Sequence, residues 1–364
     1  MDLYIFDENL NRLGILDKYE SLIWTRKTNE SGVFELHCSL EKDTLNLLKK
    51  GNIIFKSNDL TEGAYIQNIY LNEDTNGIET LQIIGKFITG YIGKRIIWNT
   101  ETINNTVENA IRQLINNNCI NTVENRKIPM LELGEFKGYT EKIDFQVSYK
   151  NLEEKIITIS NEKDINFRII TDIQNKKHKF DVYKGIDRTV NQNINPICIF
   201  SSEFENLGEQ SYSSESDNIR NVALVGGEGE KSDRIFTIIG DSSGLDREEI
   251  FVDADDIRST RDDDTTISRS EYIKLITQRG LEKLNDYKEI INFESKINVT
   301  NSNLIYKRDF DLGDYVTCVN KKWNIMINVK ITEIEEVYEK DGMEVNVVFG
   351  DKVQTIVNKL ERRW

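Results

Sequence analysis

Val33-Phe34-Glu35-Leu36-His37-Cys38-Ser39-Leu40 decides how this chain is read. Phe34, Leu36, Cys38 and Leu40 alternate with Glu35, His37 and Ser39, and a period of two puts the apolar set on one face of a half-buried strand. Just upstream, Leu22-Ile23-Trp24-Thr25 leads into the turn Thr28-Asn29-Glu30-Ser31-Gly32. Residues 3–6 and 10–16 flank the turn-rich triplet Asp7-Glu8-Asn9, which predicts a hairpin. Downstream, a short helix is expected at 43–50, stopped by Gly51, with strand-like Asn52-Ile53-Ile54-Phe55 after it. A second hairpin is expected from 64–71 and 78–87, around Asn72-Glu73-Asp74-Thr75-Asn76-Gly77. So many short strands with turns every ~8–12 residues read as a small barrel or sandwich.

The middle changes period. Ile103, Val107, Ala110, Ile111, Leu114 and Ile115 recur at helical spacing, predicting an amphipathic helix that ends in Asn116-Asn117-Asn118. A second helix is expected at 149–160, with Leu152, Ile156 and Ile159 on one stripe. Strands near 165–171 and 179–184 follow, joined by polar Gln174-Asn175-Lys176-Lys177-His178, which makes His178 an exposed loop histidine. This is a small α/β insert, bounded near residue 95 and by the Asn-rich loop 191–195.

The last third returns to strands. Ile291, Phe293, Ile297 and Val299 alternate with polar residues. So do Ile325, Ile327, Val329 and Ile331, and, across a turn at Lys340-Asp341-Gly342, Met343, Val345, Val347 and Phe349. Ser268 and Glu271 have capping-box spacing for a helix over 268–288 with Ile273, Ile276, Gly280, Leu284 and Tyr287 as its stripe. A last helix is expected from Asp351, with Gln354 in the reciprocal position and Val353, Ile356, Val357 and Leu360 as its stripe.

The chain has 364 residues, room for two or three domains at ~100–200 residues each. Its 62 acidic against 47 basic residues give a net charge of −15, which disfavours nucleic-acid binding because phosphates repel it. With 2 histidines, His-based chemistry and His-rich zinc sites have little to draw on. The 4 cysteines, at 38, 119, 198 and 318, are too scattered for a CxxC pair and read as buried thiols of a protein made in a reducing cytoplasm. No signal segment opens the sequence and no long apolar run spans a membrane, so a protein soluble when made is expected.

Most candidate chemistry fails on inspection. Val225-Gly226-Gly227-Glu228-Gly229-Glu230-Lys231-Ser232 superficially matches a phosphate loop, but Glu230 stands where Gly must precede Lys, and Glu228 adds a second carboxylate. A flexible turn between strands is the better reading. The acid-dense segment 253–264 offers oxygens for Ca2+ but lacks the Gly and distal Glu of an EF-hand loop, so a solvated loop or charged interface is expected. A cysteine nucleophile needs a histidine beside it. His37 alternates onto the face opposite Cys38, and His178 lies in the polar turn. Paired carboxylates for glycoside hydrolysis are not singled out among so many acids. Trp24, Trp98, Trp323 and Trp364 could stack on sugars, though single tryptophans in strands more often pack in the core or at its rim. No catalytic residue, cofactor or metal ligand is assigned.

Four stretches together resemble the phage tail hub family of the siphovirus ReqiPepy type, found in phages, prophages and phage-tail-like bacteriocins. The first is Trp24-Thr25-Arg26 followed by Gly32-Val33-Phe34-Glu35-Leu36, and the second is Gly85 with Arg95-Ile96-Ile97. The third is the most distinctive. It runs Asn221-Val222-Ala223-Leu224-Val225-Gly226-Gly227-Glu228-Gly229-Glu230, then Arg234, then Gly244-Leu245-Asp246-Arg247-Glu248-Glu249-Ile250-Phe251-Val252-Asp253. The fourth is Asp309-Phe310-Asp311-Leu312-Gly313-Asp314-Tyr315-Val316, leading to Val347-Val348-Phe349-Gly350.

The resemblance implies a β-rich α+β chain similar to the contractile-phage baseplate hub: a first small β-barrel at 1–95, an α/β insert at 96–190, and a second barrel with its helices at 191–364. It also implies a non-enzymatic role. Three copies with two barrels each would join a sixfold tail tube to a threefold central spike or fibre, beside tape-measure and other baseplate proteins of a virion or bacteriocin particle, with an acidic channel wall that does not grip nucleic acid. Gly226, Gly227, Gly229, Arg234, Arg247 and Glu248 are the expected family-specific structural positions. The competing expectations are a tail-associated wall hydrolase and a glycan-binding receptor component.

Overall fold

The computed structural model describes residues 1–73, 75–77, 79–260, 265–297, 303–340 and 342–350. The alternating sequence at the start forms β1 (Leu3–Phe6), β2 (Arg12–Leu16), β3 (Ser21–Lys27), β4 (Val33–Ser39), a short α1 (Lys42–Leu47), β5 (Ile53–Lys56), β6 (Asp59–Glu73) and β7 (Glu79–Phe87). Their inward residues, among them Leu22, Trp24, Phe34, Leu36, Ile54 and Ile83, make one apolar core. The Trp24 ring centroid lies 4.7 Å from that of Phe87 and 5.8 Å from that of Phe34.

The middle contains β8 (Glu101–Thr106), α2 (Val107–Ile115), β9 (Leu131–Leu133), β10 (Lys142–Val147), α3 (Leu152–Lys163), β11 (Asn166–Asp172) and β12 (Lys177–Tyr183). Its core is continuous with Phe6, Phe55 and Tyr65 of the first strands. Three expectations are corrected here. Ile103 lies in β8, not on the helix, because Thr106 caps α2 by accepting from the Asn109 amide. The Asn-rich run does not end the helix but widens it into one π-helical turn, Asn116–Ile120, where the Asn118 amide bonds Leu114 O and Glu101. His178 is not exposed. The turn closes at Lys176, which takes φ 52°, so β12 starts early and the inward parity of Phe180 and Val182 extends back to His178, only 1% exposed.

The remainder forms β13 (Ile199–Ser201), β14 (Leu207–Glu215), β15 (Val222–Gly226), β16 (Phe236–Ile239), β17 (Glu249–Asp253), α4 (Arg269–Asn285), β18 (Ile290–Ile297), β19 (Tyr315–Asn320), β20 (Ile325–Glu339) and β21 (Gly342–Gly350). Both halves of the Ser268–Glu271 capping box are present. Tyr287 falls beyond the end of α4, where its carbonyl accepts from the Arg220 amide. The expected helix from Asp351, Val299 of the strand pattern, and Asp262 to Asp264 lie outside the described residues.

Strands from both ends of the chain share one sheet of 13 strands, ordered β14-β18-β21-β20-β3-β4-β7-β6-β5-β1-β2, with β19 on β20 and β13 on β19. All its pairings are antiparallel except β13 with β19. The path is open, and no closed barrel is traced among the described residues. The C-terminal strands pack around a second core that includes Phe200, Phe293, Val316, Ile331 and Phe349. The two strand groups meet where β20 pairs with β3, from Glu333 opposite Lys27 to Glu339 opposite Ser21.

A buried polar network crosses that seam. Arg26 on β3 holds Glu62 with two bonds of 2.6 and 2.7 Å and donates to Asp311 at 2.5 Å and to the Tyr306 hydroxyl at 2.8 Å. Tyr306 donates onward to Glu336 at 2.9 Å, and Tyr338 donates to the same carboxylate at 2.6 Å. Glu336 also pairs with Lys56. Burial pushes the Glu336 pKa up, but Lys56 and Lys307 outweigh it and hold the carboxyl below its ordinary value. The fourth quoted motif serves this region too. Asp314 accepts from the Ile186 amide at 2.8 Å and from Arg188 at 2.9 Å, fixing the linker that leaves β12.

Candidate functional site

The distinctive third motif builds a separate layer. β15 pairs antiparallel with β16 and parallel with β17, and α4 covers one side of this sheet through Ala223, Val225, Val252, Tyr272 and Ile276. The glycine-rich run after β15 is a tied turn, not a flexible one. Arg234 donates to Gly227 O and Gly226 O at 3.0 Å each and pairs with Asp253. The Tyr272 hydroxyl accepts from the Glu228 amide at 2.6 Å and donates to Ile257 O at 3.0 Å. Gly229 has φ 101°, and a Cβ there would sit 2.6 Å from Asp233 O.

This turn is the inverse of a phosphate cradle. Its carbonyls face a cation, while the Gly227 amide is taken by Ile235 O and the Glu228 amide by Tyr272. Gly226, Gly227, Gly229 and Arg234 thus gather at one end of β15. Arg247 and Glu248 sit at the other end. Arg247 donates to Glu249 at 2.5 Å and to Ser242 O at 2.8 Å. The Glu248 backbone is clasped by Asn221, whose side chain accepts from its amide and whose amide donates to its carbonyl, both at 3.0 Å.

Sequence reasoning missed what lies between these ends. Leu224 is directly opposite Ile238 on one side and Phe251 on the other, and Phe236 is opposite Gly226. All four point away from α4 and are 41%, 63%, 51% and 47% exposed, respectively. The Arg234 guanidinium lies 5.5 Å from the Phe251 ring centroid and 5.8 Å from that of Phe236. The signal was present. Val222-Ala223-Leu224-Val225 and Ile250-Phe251-Val252 are apolar at both parities, the pattern of strands covered on both faces, yet α4 covers only one.

The remaining candidates resolve into structure. Asp256 pairs with Arg279 through bonds of 3.0 and 3.1 Å, and Asp253 is held by Arg234. Among the described residues no three His, Cys, Asp or Glu side chains are grouped to share a metal, and no helix is long and apolar enough to cross a membrane. The thiols of Cys38, Cys119 and Cys198 are buried and pushed up to about 12, and burial likewise raises that of Cys318 well above its ordinary value. None of them is a ready thiolate. Burial pushes His178 down to about 4. Trp24 is wholly buried; Trp98 and Trp323 are half-exposed, and Arg126 lies 4.4 Å from the Trp98 ring centroid. Trp364 lies outside the described residues.

A family model described as Siphovirus ReqiPepy6 Gp37-like protein matches residues 2–351. Among solved structures, the tail protein from Neisseria meningitidis MC58 superposes with a TM-score of 0.58 at 10% identity, covering 96% of both chains. The 43 kDa tail protein of prophage MuSo2 from Shewanella oneidensis gives 0.58 at 9% identity, over 96% of this chain and 98% of that one. Prophage tail protein gp18 from Listeria monocytogenes EGD-e gives 0.54 at 14% identity, over 100% and 98%. These likenesses show a shared fold. No curated protein matches the sequence.

Proposed function

The chain belongs to the Siphovirus ReqiPepy6 Gp37-like protein family, and from that premise we propose that it is the structural hub at the distal end of a phage or phage-tail-like particle. In this reading three copies form a ring that joins a sixfold tail tube to a threefold spike or fibre. One observation carries the proposal: two strand groups, one from each end of the chain and each with its own core, lie side by side across the β3–β20 pairing. We read them as the two barrel-like modules of the hub, with the middle segment as an insert. A ring of three such chains presents six modules to the tube and three repeats to the spike.

The seam network supports this role. A symmetry adaptor needs its two modules at one fixed angle, and buried charges that must all be partnered tolerate few alternative arrangements. The role is architectural and requires no catalytic group. The excess of 62 acids over 47 bases suits a channel wall that repels nucleic acid.

Cryo-electron microscopy of assembled tails tests the proposal. The expected result is a ring of three copies between tube and spike, with both modules of each copy against the tube. Six copies per ring, or a location away from the tube end, would overturn it.

A further inference from the structure

We propose that the cavity where the first strands meet the middle segment binds a small carboxylate with an apolar body. The cavity has a volume of about 280 Å3, at the small end of the range for ligand pockets. Tyr65, Tyr91, Ile128, Pro129 and Met130 give it largely apolar walls. His178, only 1% exposed, lines its buried side. The His178 Nδ1 lies 3.0 Å from the Thr171 hydroxyl, whereas Nε2 has no hydrogen-bond partner among the described residues. That nitrogen is free to bond a polar atom inside the cavity.

Two cations select the anion. Lys94 stands at the exposed rim and makes no hydrogen bond or ion pair with any described residue. Its Nζ lies 4.3 Å from the Tyr65 ring centroid and 4.5 Å from that of Tyr91. Arg95 beside it is fixed by backbone carbonyls. It donates to Arg126 O at 2.6 Å, Lys94 O at 3.1 Å and Lys127 O at 3.2 Å. Two of its five N–H groups stay uncommitted. Glu8, the one carboxylate on the lining, is exposed and pairs with neither cation. Burial and the repulsion from Arg95 both pull the Lys94 pKa below the ordinary lysine value, and a bound carboxylate offsets that repulsion. A chain with 62 acids against 47 bases thus leaves two adjacent cations uncompensated at one cavity. The walls select the rest of the ligand. An inorganic anion would leave the apolar surface unused, and an uncharged hydrocarbon would leave Lys94 and Arg95 unpaired. A free molecule and an acidic side chain of a neighbouring tail protein share this chemistry.

The test titrates the full chain with phenylacetate and, as a control, with 2-phenylethanol, which keeps the ring and lacks the charge. The chain has 2 histidines, so histidine-labelled protein gives two imidazole signals in NMR. Phenylacetate at up to about 10 mM is expected to shift the signal of His178 and leave that of His37, which bonds Glu35, in place. The alcohol should bind at least about tenfold more weakly, and so should phenylacetate to Lys94→Gln, whose altered side chain lies at the exposed rim. A His178 signal that does not move, equal binding of the alcohol, or unaltered binding to the variant would each overturn the proposal. Assembled particles distinguish the two sources. A stoichiometric small carboxylate released on denaturation assigns a free molecule, and carbodiimide coupling of Lys94 to another protein assigns an acidic side chain. Neither outcome in particles would also overturn the assignment. None of these results bears on the ring, so this site and the hub reading fail separately.

Discussion

Lys56 and Glu336, 280 residues apart, form an ion pair in which each side chain is 1% exposed. The pair closes the seam between the two strand groups, and neither charge has water to fall back on. Burial is the largest influence on Lys56 and pulls its pKa below the ordinary lysine value, with Glu336 opposing. Lys56→Met would leave Glu336 buried with only the two tyrosine hydroxyls as donors, at a cost of about 3–5 kcal/mol. Lys56→Met combined with Glu336→Leu should recover at least half of that loss, because no unpaired charge remains. Urea denaturation of the two variants checks the order. A double variant no more stable than the single one would show that the pair itself, not the avoidance of an orphan charge, holds the seam.

His178 makes stability depend on pH in a defined window. Burial lowers its pKa from 6.5 to about 4, and its Nδ1 lies 3.0 Å from the Thr171 hydroxyl. Between those values the unfolded chain binds the proton and the folded chain does not, so stability rises with pH. The contribution is complete above 6.5, falls away as the pH drops towards 4, and is on the order of 3 kcal/mol. His178→Gln, which can still bond Thr171, should flatten the stability profile between pH 4 and 6.5 by up to about 1.4 kcal/mol per pH unit. An unchanged slope would mean that His178 is protonated in the folded state.

Tyr272 holds the motif turn from beneath. Its ring is fully buried, and its hydroxyl bonds both the Glu228 amide and the Ile257 carbonyl. Tyr272→Phe keeps the packing and leaves both backbone groups without that partner, a loss of about 1–3 kcal/mol. Hydrogen exchange should accelerate at the Glu228 amide first. Acceleration spread evenly over α4 instead would assign Tyr272 to the helix core and not to the turn.

The strands at both ends were legible because each buries one face, which writes a period of two into the sequence. The Ser268–Glu271 box was legible because both partners are local. The seam was not. Pairing between β3 and β20 joins segments some 300 residues apart, and Lys56 at the end of Ile53-Ile54-Phe55 reads locally as a solvent-facing strand terminus. The motif glycines were singled out as family-specific structural positions, but the apolar face beside them was overlooked, since Leu224 and Phe251 look like core residues until α4 is seen to cover only one side.

Gly185 and Gly51 separate two reasons for keeping a glycine. A Cβ on Gly185 would overlap the backbone carbonyl of Gly313, in the fourth family stretch, where the linker after β12 runs against the loop before β19. Gly51 has φ 89° but nothing within 4 Å of a Cβ. Gly51→Ala therefore meets only conformational strain, about 1 kcal/mol. Gly185→Ala must push two backbones apart and disturb the Asp314 bonds to Ile186 and Arg188, which places it among the rare substitutions costing more than ~4 kcal/mol. Thermal unfolding of the two variants should rank them in that order. If Gly185→Ala were the milder change, the linker would have to be free to move away from β19, and the fixed spacing between the two strand groups would lose one of its supports.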